Sequence, residues 1–162
     1  MRQELAQLAQ LGNGAHALAT QILGNADDAA DAVQDSLATV LSRPESYDPN
    51  KGPLKPWFIR VVRNRCLDMI RRRRGSSEPV DEIVESSPGP EESAANAQRS
   101  ATIAAALEAL PGDKREVIML RDYLDLSYAE VADVLNIAPG TVMSRIHRAR
   151  LALRDVLGDY QE

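Results

Sequence analysis

The stretch from residue 127 to residue 154 constrains the fold most strongly, because it predicts two capped helices that meet at a tight turn. Ser127, followed three residues later by Glu130, forms the capping-box pattern that marks the start of a helix. Asn136 is predicted to end that helix, since asparagine is second to glycine in tolerating a left-handed backbone. Thr141 is predicted to cap the second helix, because the Ala-Pro-Gly segment before it is expected to stay non-helical. The pattern predicts a helix-turn-helix.

The second helix of this pair has an apolar stripe and a basic outer side. Helical spacing places four apolar side chains on one face, namely Val142, Ile146, Ala149 and Leu153. Between residues 141 and 154 there are four arginines and no acid. The DNA major groove admits such a helix, with arginines meeting phosphates or guanine edges. The predicted reading side chains are Thr141, Ser144, Arg145, His147 and Arg148. The alternative is an ordinary amphipathic hairpin with a solvated basic face.

The composition favours an all-α protein. Alanine, leucine and arginine are frequent, and aromatic residues make up only 4% of the chain. The single cysteine, Cys66, excludes an internal disulfide. One cysteine and two histidines are too few ligands for a zinc site, so we expect no metal and no other cofactor. No apolar run is long enough to span a membrane and there is no signal-peptide pattern, which predicts a cytoplasmic protein without membrane insertion.

Charge is strongly segregated along the chain, although the net charge is only −5. Residues 55–74 hold eight basic side chains against one acid, and residues 75–100 hold six acids against one arginine. Local fields decide what binds, so the negative net charge does not exclude a nucleic-acid partner. The segment 75–93 is rich in proline, glycine, serine and acids. It predicts a flexible acidic linker between two small helical domains, 1–74 and 94–162, with two binding sites at a distance.

The first domain is predicted to begin with helices at 1–11 and 15–23, interrupted by the Gly-Asn-Gly segment 12–14. Asn25 is predicted to cap a better-defined helix that runs to residue 41. The predicted apolar face of this helix comprises Ala26, Ala29, Ala30, Val33, Leu37, Val40 and Leu41. Its other face carries Asp27, Asp28, Asp31, Gln34 and Asp35. From the residues alone, this acidic face is either a solvated surface or a docking site for a basic or polar partner.

An irregular loop leads to a basic helix predicted from Pro56 to about Arg74. Its predicted buried stripe comprises Phe58, Ile59, Val62, Cys66, Met69 and Ile70. Trp57 lies on the remaining face with Arg60 and Asn64. An indole among cations is typical of single-stranded nucleic-acid sites, where bases stack on the ring. Packing against the helix at 26–41 explains Trp57 equally well, so both interpretations stay open.

The second domain is predicted to start near Ala94 with two supporting helices. The first carries Ile103, Leu107 and Leu110 on its apolar side and ends at the Pro-Gly pair 111–112. Asp113 is predicted to cap the second, whose inward side chains are Val117, Ile118 and Leu120. These helices supply a core for the helix-turn-helix, because two short helices cannot bury their faces alone.

Three runs of this sequence resemble those of a known family. They are DDAADAVQDSLATVL (27–41), PWFIRVVRNRCLDMIRRRRG (56–75), and the stretch 107–153 that contains SYAEVADVLNIAPGTVMSRIHRARLAL. Together they resemble the extracytoplasmic-function (ECF) sigma factors of the sigma-70 family, which are promoter-recognition subunits of bacterial RNA polymerase. The resemblance covers nearly the whole chain, and several family motifs in order are more specific than a lone helix-turn-helix.

The resemblance implies a non-enzymatic role, because core RNA polymerase performs the chemistry. The first run would dock on the β′ coiled coil of core polymerase, through Asp28, Asp31, Gln34 and Asp35. The second run and the loop before it would melt and read the minus-ten element, through Asn50, Lys51, Lys55, Trp57, Arg60, Arg63 and Asn64. The third run would read the minus-thirty-five element and touch the β flap. The resemblance also implies an anti-sigma factor that clamps both domains.

The chain departs from the family pattern in three places. Its N-terminal helix looks truncated or recast around residues 12–14, and Asn136 replaces the usual turn glycine. Met143 stands where a basic residue is common and His147 where an aromatic or histidine is usual, so the bases read cannot be inferred from a relative. The leading hypothesis is a sigma factor that directs core polymerase to specific promoters. The alternatives are a sigma-like decoy for an anti-sigma factor and a stand-alone helix-turn-helix repressor.

Overall fold

A computed structural model describes residues 2–76 and 94–159, and in these ranges the chain is helical without any strand. The first half contains α1 (Arg2–Leu23), α2 (Ala26–Ser42) and α3 (Leu54–Ser76). The second half contains α4 (Ala94–Glu108), α5 (Gly112–Ile118), α6 (Tyr128–Leu135) and α7 (Pro139–Asp159). The predicted all-α class is confirmed. Of the predicted linker 75–93, the first two residues belong to α3, and residues 77–93 lie outside the described ranges.

Helix α1 is continuous, so the predicted interruption at residues 12–14 is wrong. A glycine costs about 1 kcal/mol in a helix interior, and packing of a buried face overrides such a cost. Buried side chains occur on both sides of the Gly-Asn-Gly segment, at Leu8, Ala15, Leu18, Ala19 and Leu23. The helix packs against both α2 and α3 and thereby closes the core of the first half.

Helix α2 starts as predicted. The side chain of Asn25 accepts hydrogen bonds from the backbone N–H groups of Asp27 and Asp28, at 2.8 and 3.1 Å. The predicted apolar face is correct at its centre, where Ala29, Val33 and Val40 are buried. It is wrong at its edge, because Leu41 is 54% exposed. A seven-residue stripe covers more of the helix circumference than one neighbouring layer can bury.

The loop between α2 and α3 contains two short 3₁₀ turns, Pro44–Ser46 and Pro49–Lys51. The carboxylate of Asp48 accepts a hydrogen bond from the backbone of Asn50 at 3.0 Å. Helix α3 then begins two residues before the predicted start. Its predicted stripe is confirmed at Phe58, Ile59, Val62 and Cys66, which are fully buried, whereas Met69 and Ile70 are half-buried.

In the second half, α5 leads into a π-helical turn, Met119–Tyr123, closed by a 2.9 Å hydrogen bond from Leu124 N to Met119 O. The predicted cap at Asp113 is wrong. The N-cap position is Pro111, whose ring fixes its φ, and the aspartate lies in the first turn, where it suits the helix dipole. The predicted burial of Val117, Ile118 and Leu120 is confirmed, and so is that of Leu110, but Ile103 is 49% exposed.

The helix-turn-helix forms from α6 and α7. Ser127 and Glu130 make the predicted capping box, with bonds of 3.1 Å from Glu130 N to Ser127 Oγ and 3.3 Å from Ser127 N to Glu130 Oε1. Asn136 adopts the predicted left-handed conformation, with φ 55° and ψ 50°. The predicted cap at Thr141 is wrong, because α7 already begins at Pro139, a residue favoured in a first helical turn. The predicted stripe of α7 is buried at Val142, Ile146 and Ala149, and Leu153 is half-buried.

The two halves pack against each other and share one continuous hydrophobic core. Helix α3 packs against α6, and α1 packs against α5. Polar contacts cross the same boundary, because Arg63 pairs with Glu116 and Arg115 Nη1 donates to Gln21 Oε1 at 3.4 Å. The two predicted domains are therefore in direct contact in this arrangement.

Candidate nucleic-acid interface

The outer face of α3 presents Arg60 and Asn64 to solvent, with Trp57 half-buried beside them. The Trp57 ring leans on Tyr47 of the preceding loop, with ring centroids 5.1 Å apart and planes inclined by 45°. The Tyr47 hydroxyl donates a 2.9 Å hydrogen bond to the carbonyl oxygen of Gly52, which ties the middle of the loop to its C-terminal end. Two aromatic rings and an exposed guanidinium therefore stand side by side, an arrangement suited to stacking a base and holding its phosphate.

These groups line a pocket of about 480 Å³. Its loop and α3 walls include Tyr47, Lys51, Trp57 and Arg60. Its remaining wall comes from α6, through Glu130, Asp133 and Val134. Of the predicted minus-ten residues, Lys51, Trp57 and Arg60 thus meet in one site, whereas Asn50, Lys55, Arg63 and Asn64 do not line it. Tyr47 was not among the predicted minus-ten residues, although the sequence shows an aromatic residue in the loop before Trp57.

Arg63 points away from this pocket. Its guanidinium pairs with Glu116 of α5, and the two side chains are 18% and 19% exposed. Helical spacing explains the difference, since Arg63 lies about 60° from Arg60 and about 100° from Asn64 around the axis of α3. In this arrangement the charge of Arg63 is partnered by an acid of the other half.

The reading face of α7 is open. Thr141, Ser144, His147 and Arg148 are exposed, and Arg145 is half-buried. Met143 joins them with 57% exposure. Arg150, by contrast, is held against Asp122 by a 2.6 Å hydrogen bond from Nη2 to Oδ1, and this bond raises the pKa of the guanidinium. The predicted minus-thirty-five residues therefore lie together on the first turns of α7, the part of a recognition helix that meets base edges.

The acidic face of α2 does not line the pocket. Asp31, Gln34 and Asp35 are exposed, and Asp28 is half-buried. Two of the acids pair with α3, because Arg65 donates to Asp35 at 2.9 Å and Arg73 pairs with Asp28. The exposed Leu41 extends the same helix toward its C-terminal end, so the surface combines charge with an apolar side chain.

Cys66 does not contribute chemistry to any of these surfaces. Burial, reinforced by the nearby Glu116 carboxylate, raises the pKa of its thiol to about 11, so the thiol stays protonated near neutral pH. Within residues 2–76 and 94–159, no grouping of side chains could hold a metal ion. No helix in those ranges is both long and apolar enough to cross a membrane.

Family comparison assigns both halves. Residues 8–76 match the model described as Sigma-70 region 2, and residues 100–153 match that described as Sigma-70, region 4. The pocket at Tyr47 and Trp57 thus lies mainly in the first matched segment, and the exposed first turns of α7 lie in the second.

Curated relatives extend over most of the chain. The ECF RNA polymerase sigma factor SigE of Mycolicibacterium smegmatis is 36% identical over 148 residues, covering 88% of this chain and 57% of that protein. The chain therefore spans little more than half of SigE. The ECF RNA polymerase sigma factor SigW of Bacillus subtilis is 32% identical over 154 residues, covering 88% of this chain and 82% of SigW.

Solved structures match across both halves. The sigma factor RpoE of Bartonella quintana, in complex with the anti-sigma factor NepR, superimposes with a TM-score of 0.82 and 27% identity over 98% of each chain. CnrH, in complex with the cytosolic domain of CnrY, gives a TM-score of 0.69 and 26% identity over 98% of this chain and 89% of CnrH. The two sigma regions, their order and these relatives show that the chain belongs to the ECF RNA polymerase sigma factors of the sigma-70 family.

Proposed function

We propose that this sigma factor directs core RNA polymerase to promoters by holding two DNA elements at once, with residues 1–74 and 94–162 as the two binding domains. The observation that carries the proposal is that one chain has two different surfaces, an aromatic pocket and the exposed first turns of the second helix of a helix-turn-helix. The first suits an unpaired base and the second suits a duplex. A cytoplasmic promoter-recognition protein needs both activities, because it must recognise a duplex and then hold a single strand of the opened DNA.

The minus-ten element is opened at the Tyr47–Trp57 pocket. A base flipped out of the duplex stacks on the rings, while Lys51 and Arg60 meet the phosphates beside it. Asn50 and Asn64 are exposed nearby and supply amide groups for base edges, and the half-buried Lys55 adds charge. Arg63 joins this surface once it leaves Glu116.

The minus-thirty-five element is read by the first turns of α7. Thr141 and Ser144 are small enough to approach base edges, and Arg145 and Arg148 carry charge to guanine edges or phosphates. The exposed Met143 favours contact with a thymine methyl group over a phosphate contact. The exposed His147 completes the face.

Core polymerase docks on the outer face of α2. Asp31, Gln34 and Asp35 supply polar contacts, and Asp28 lies at the edge of that surface. Leu41, 54% exposed, supplies an apolar anchor. The half containing α7 contacts the β flap.

The chain performs no catalysis and is controlled by an anti-sigma factor. Two proteins with this fold, RpoE and CnrH, have been solved bound to NepR and to the cytosolic domain of CnrY, which supports a comparable partner here. A sigma-like decoy would also bind such a partner but would not bind core polymerase. A stand-alone repressor would leave the aromatic pocket without a task.

Run-off transcription with purified core polymerase on a genomic promoter library tests the proposal. We expect specific transcripts with the protein and none with core polymerase alone. Failure to bind core polymerase would contradict the proposal, and binding of an anti-sigma factor without any binding to core polymerase would favour the decoy. Leu41→Asp should abolish binding to core polymerase while leaving duplex binding by α7 intact.

A further inference from the structure

Helix α3 carries two rows of side chains that begin at the Tyr47–Trp57 pocket and end in arginines. Within each row the spacing is seven residues, and the members are Trp57, Asn64 and Arg71 in one row and Arg60, Leu67 and Arg74 in the other. Seven residues make almost two turns of an α-helix, so a row turns by only about 20° per step, and the two rows lie about 60° apart. Both rows therefore follow the same side of α3.

The polar members of these rows are open to solvent. Arg60, Asn64, Arg71 and Arg74 are all exposed, although α6 of the second half packs against α3. The C-terminal part of this side, which holds Arg71 and Arg74, is therefore accessible to a partner in the packed chain.

The four arginines at residues 71–74 do not share one direction. Arg72 is exposed but lies about 100° from Arg71 around the helix axis, outside both rows. Arg73 pairs with Asp28 of α2. Only Arg71 and Arg74 continue the side of α3 that starts at the pocket, so the run is more specific than a uniformly charged helix end.

Arg71 has a weak partner on its own helix. Its Nη1 donates to Oδ1 of Asp68 at 3.3 Å, and the two side chains are 75% and 54% exposed. Ion pairs between groups this exposed contribute little, because water screens both charges. A DNA phosphate can therefore displace the carboxylate, and Asp68 competes with DNA for the guanidinium.

The length of α3 determines where such a phosphate lies. Fourteen residues separate Trp57 from Arg71, which corresponds to about 21 Å along the helix. A strand of a DNA duplex advances about 3.4 Å per base pair, so the same distance spans about six base pairs. The rows contain no second aromatic ring beyond Trp57, and cations without a ring suit phosphates rather than stacked bases.

We propose that Arg71 and Arg74 form a duplex-phosphate site, about six base pairs from the base that stacks on Trp57. In chain order this end of α3 comes between the two proposed promoter contacts, so its ligand is the paired DNA between the minus-ten and minus-thirty-five elements. The site positions DNA without selecting a sequence, because phosphates are the same at every base pair. Its location rests on the proposed function, whereas its binding of duplex does not.

The first test measures duplex binding by the full chain, using a fluorescein-labelled, random-sequence duplex of twenty base pairs over a range of salt concentrations. Arg71→Ala and Arg74→Ala should each reduce the salt slope by about 1, and the double variant by about 2. Arg72→Ala is the matched control, since it removes the same charge from the same run, and its slope should equal that of the wild type. The contribution of α7 is common to all these proteins.

Asp68 gives a prediction of the opposite sign. Asp68→Asn removes the carboxylate that competes for Arg71, so it should tighten duplex binding severalfold. Glu108→Gln is its control, because Glu108 is an exposed acid of α4 and its substitution removes the same charge.

The second test concerns the location of the site. Two probes carry the same twelve-nucleotide single-stranded tail on a hairpin-closed duplex arm of either four or ten base pairs. The wild type should bind the longer arm more tightly, because only that arm reaches Arg71 and Arg74 when the tail occupies the pocket. The double variant should lose most of this advantage, and Arg72→Ala should keep it.

Salt slopes for Arg71→Ala and Arg74→Ala that equal that of Arg72→Ala would overturn the inference, because the run would then be a solvated helix end. Equal losses on the twenty-base-pair duplex and on the tail alone would overturn it as well, since the arginines would then bind any polyanion. An undiminished advantage of the longer arm in the double variant would refute the location. Specific run-off transcripts in any of these cases would leave the proposed function standing, whereas reduced slopes without such transcripts would keep the duplex site and remove the proposed function.

Discussion

The ring of Tyr47 lies 5.1 Å from the ring of Trp57, at an angle of 45°. Tilted aromatic pairs of this separation are mutually stabilising. Because the Tyr47 hydroxyl also donates to Gly52 O at 2.9 Å, the loop fixes the position of the indole from one side. The pocket is therefore a joint product of the loop and of α3, and its two rings are expected to act together on a melted strand.

Replacing Trp57 with alanine should impair promoter opening more than core binding, because the stacking surface is lost while α2 is untouched. Loss of stacking on one base should weaken binding of the single strand by about 1–3 kcal/mol. Permanganate reactivity of promoter thymines measures opening, and co-elution with core polymerase measures binding. Tyr47→Phe is the control, since it keeps the ring and removes only the hydrogen bond to Gly52. Equal loss of opening and core binding in Trp57→Ala would mean that the ring is structural.

The capping box of α6 should contribute measurably to stability. Ser127→Ala removes the oxygen that accepts from Glu130 N at 3.1 Å and should lower the free energy of unfolding by about 1 kcal/mol. Ser127→Asp is the matched control, because aspartate is an equally good N-cap. Urea denaturation measures both variants. A Ser127→Ala protein as stable as Ser127→Asp would show that the cap is dispensable in this context.

Local signals in the sequence predicted most of the helical elements. Asn25, the Ser127–Glu130 pair and Asn136 each act on the backbone within a few residues, and the structure has all three in the predicted roles. The predicted break in α1 failed because packing of the buried face on both sides of the Gly-Asn-Gly segment outweighs the local cost of the glycines. The predicted cap at Thr141 failed because Pro139 starts the helix earlier.

The candidate site was also predicted in part, because helical periodicity is a local signal as well. Helical periodicity placed Trp57, Arg60 and Asn64 on one face of α3, and the structure agrees. Periodicity cannot say which element faces that helix, so neither the pairing of Arg63 with Glu116 nor the α6 wall of the pocket could be read from it. Both arise from packing between segments that are separated by the predicted linker.

Arg148 and Arg150 offer a paired test of the reading face, because each substitution removes one positive charge from α7. Arg148→Ala should weaken binding to a minus-thirty-five duplex by about 1–3 kcal/mol for a base contact, or reduce the salt slope by about 1 for a phosphate contact. Arg150→Ala should do neither, since Arg150 is held by Asp122. Fluorescence anisotropy over a range of salt concentrations measures both. A footprint that is unchanged at the upstream element in Arg148→Ala would refute the assignment.

Cys66 should make the protein less stable as the pH rises from about 9 to about 11. Its thiol has a pKa raised from 9.0 to about 11 by burial, so in this range the unfolded chain has lost a proton that the folded chain retains. The stabilisation is complete below the unfolded pKa and disappears as the pH passes the folded one, with a total of roughly 2–3 kcal/mol. Urea denaturation at pH 7, 9 and 10.5 measures it, with Cys66→Ala as the reference in which only this titration is absent. Cys66→Ala should be less stable at pH 7 because it leaves a small cavity, and its deficit should shrink with rising pH. A deficit that stays constant over this range would show that the thiol ionises alike in both states.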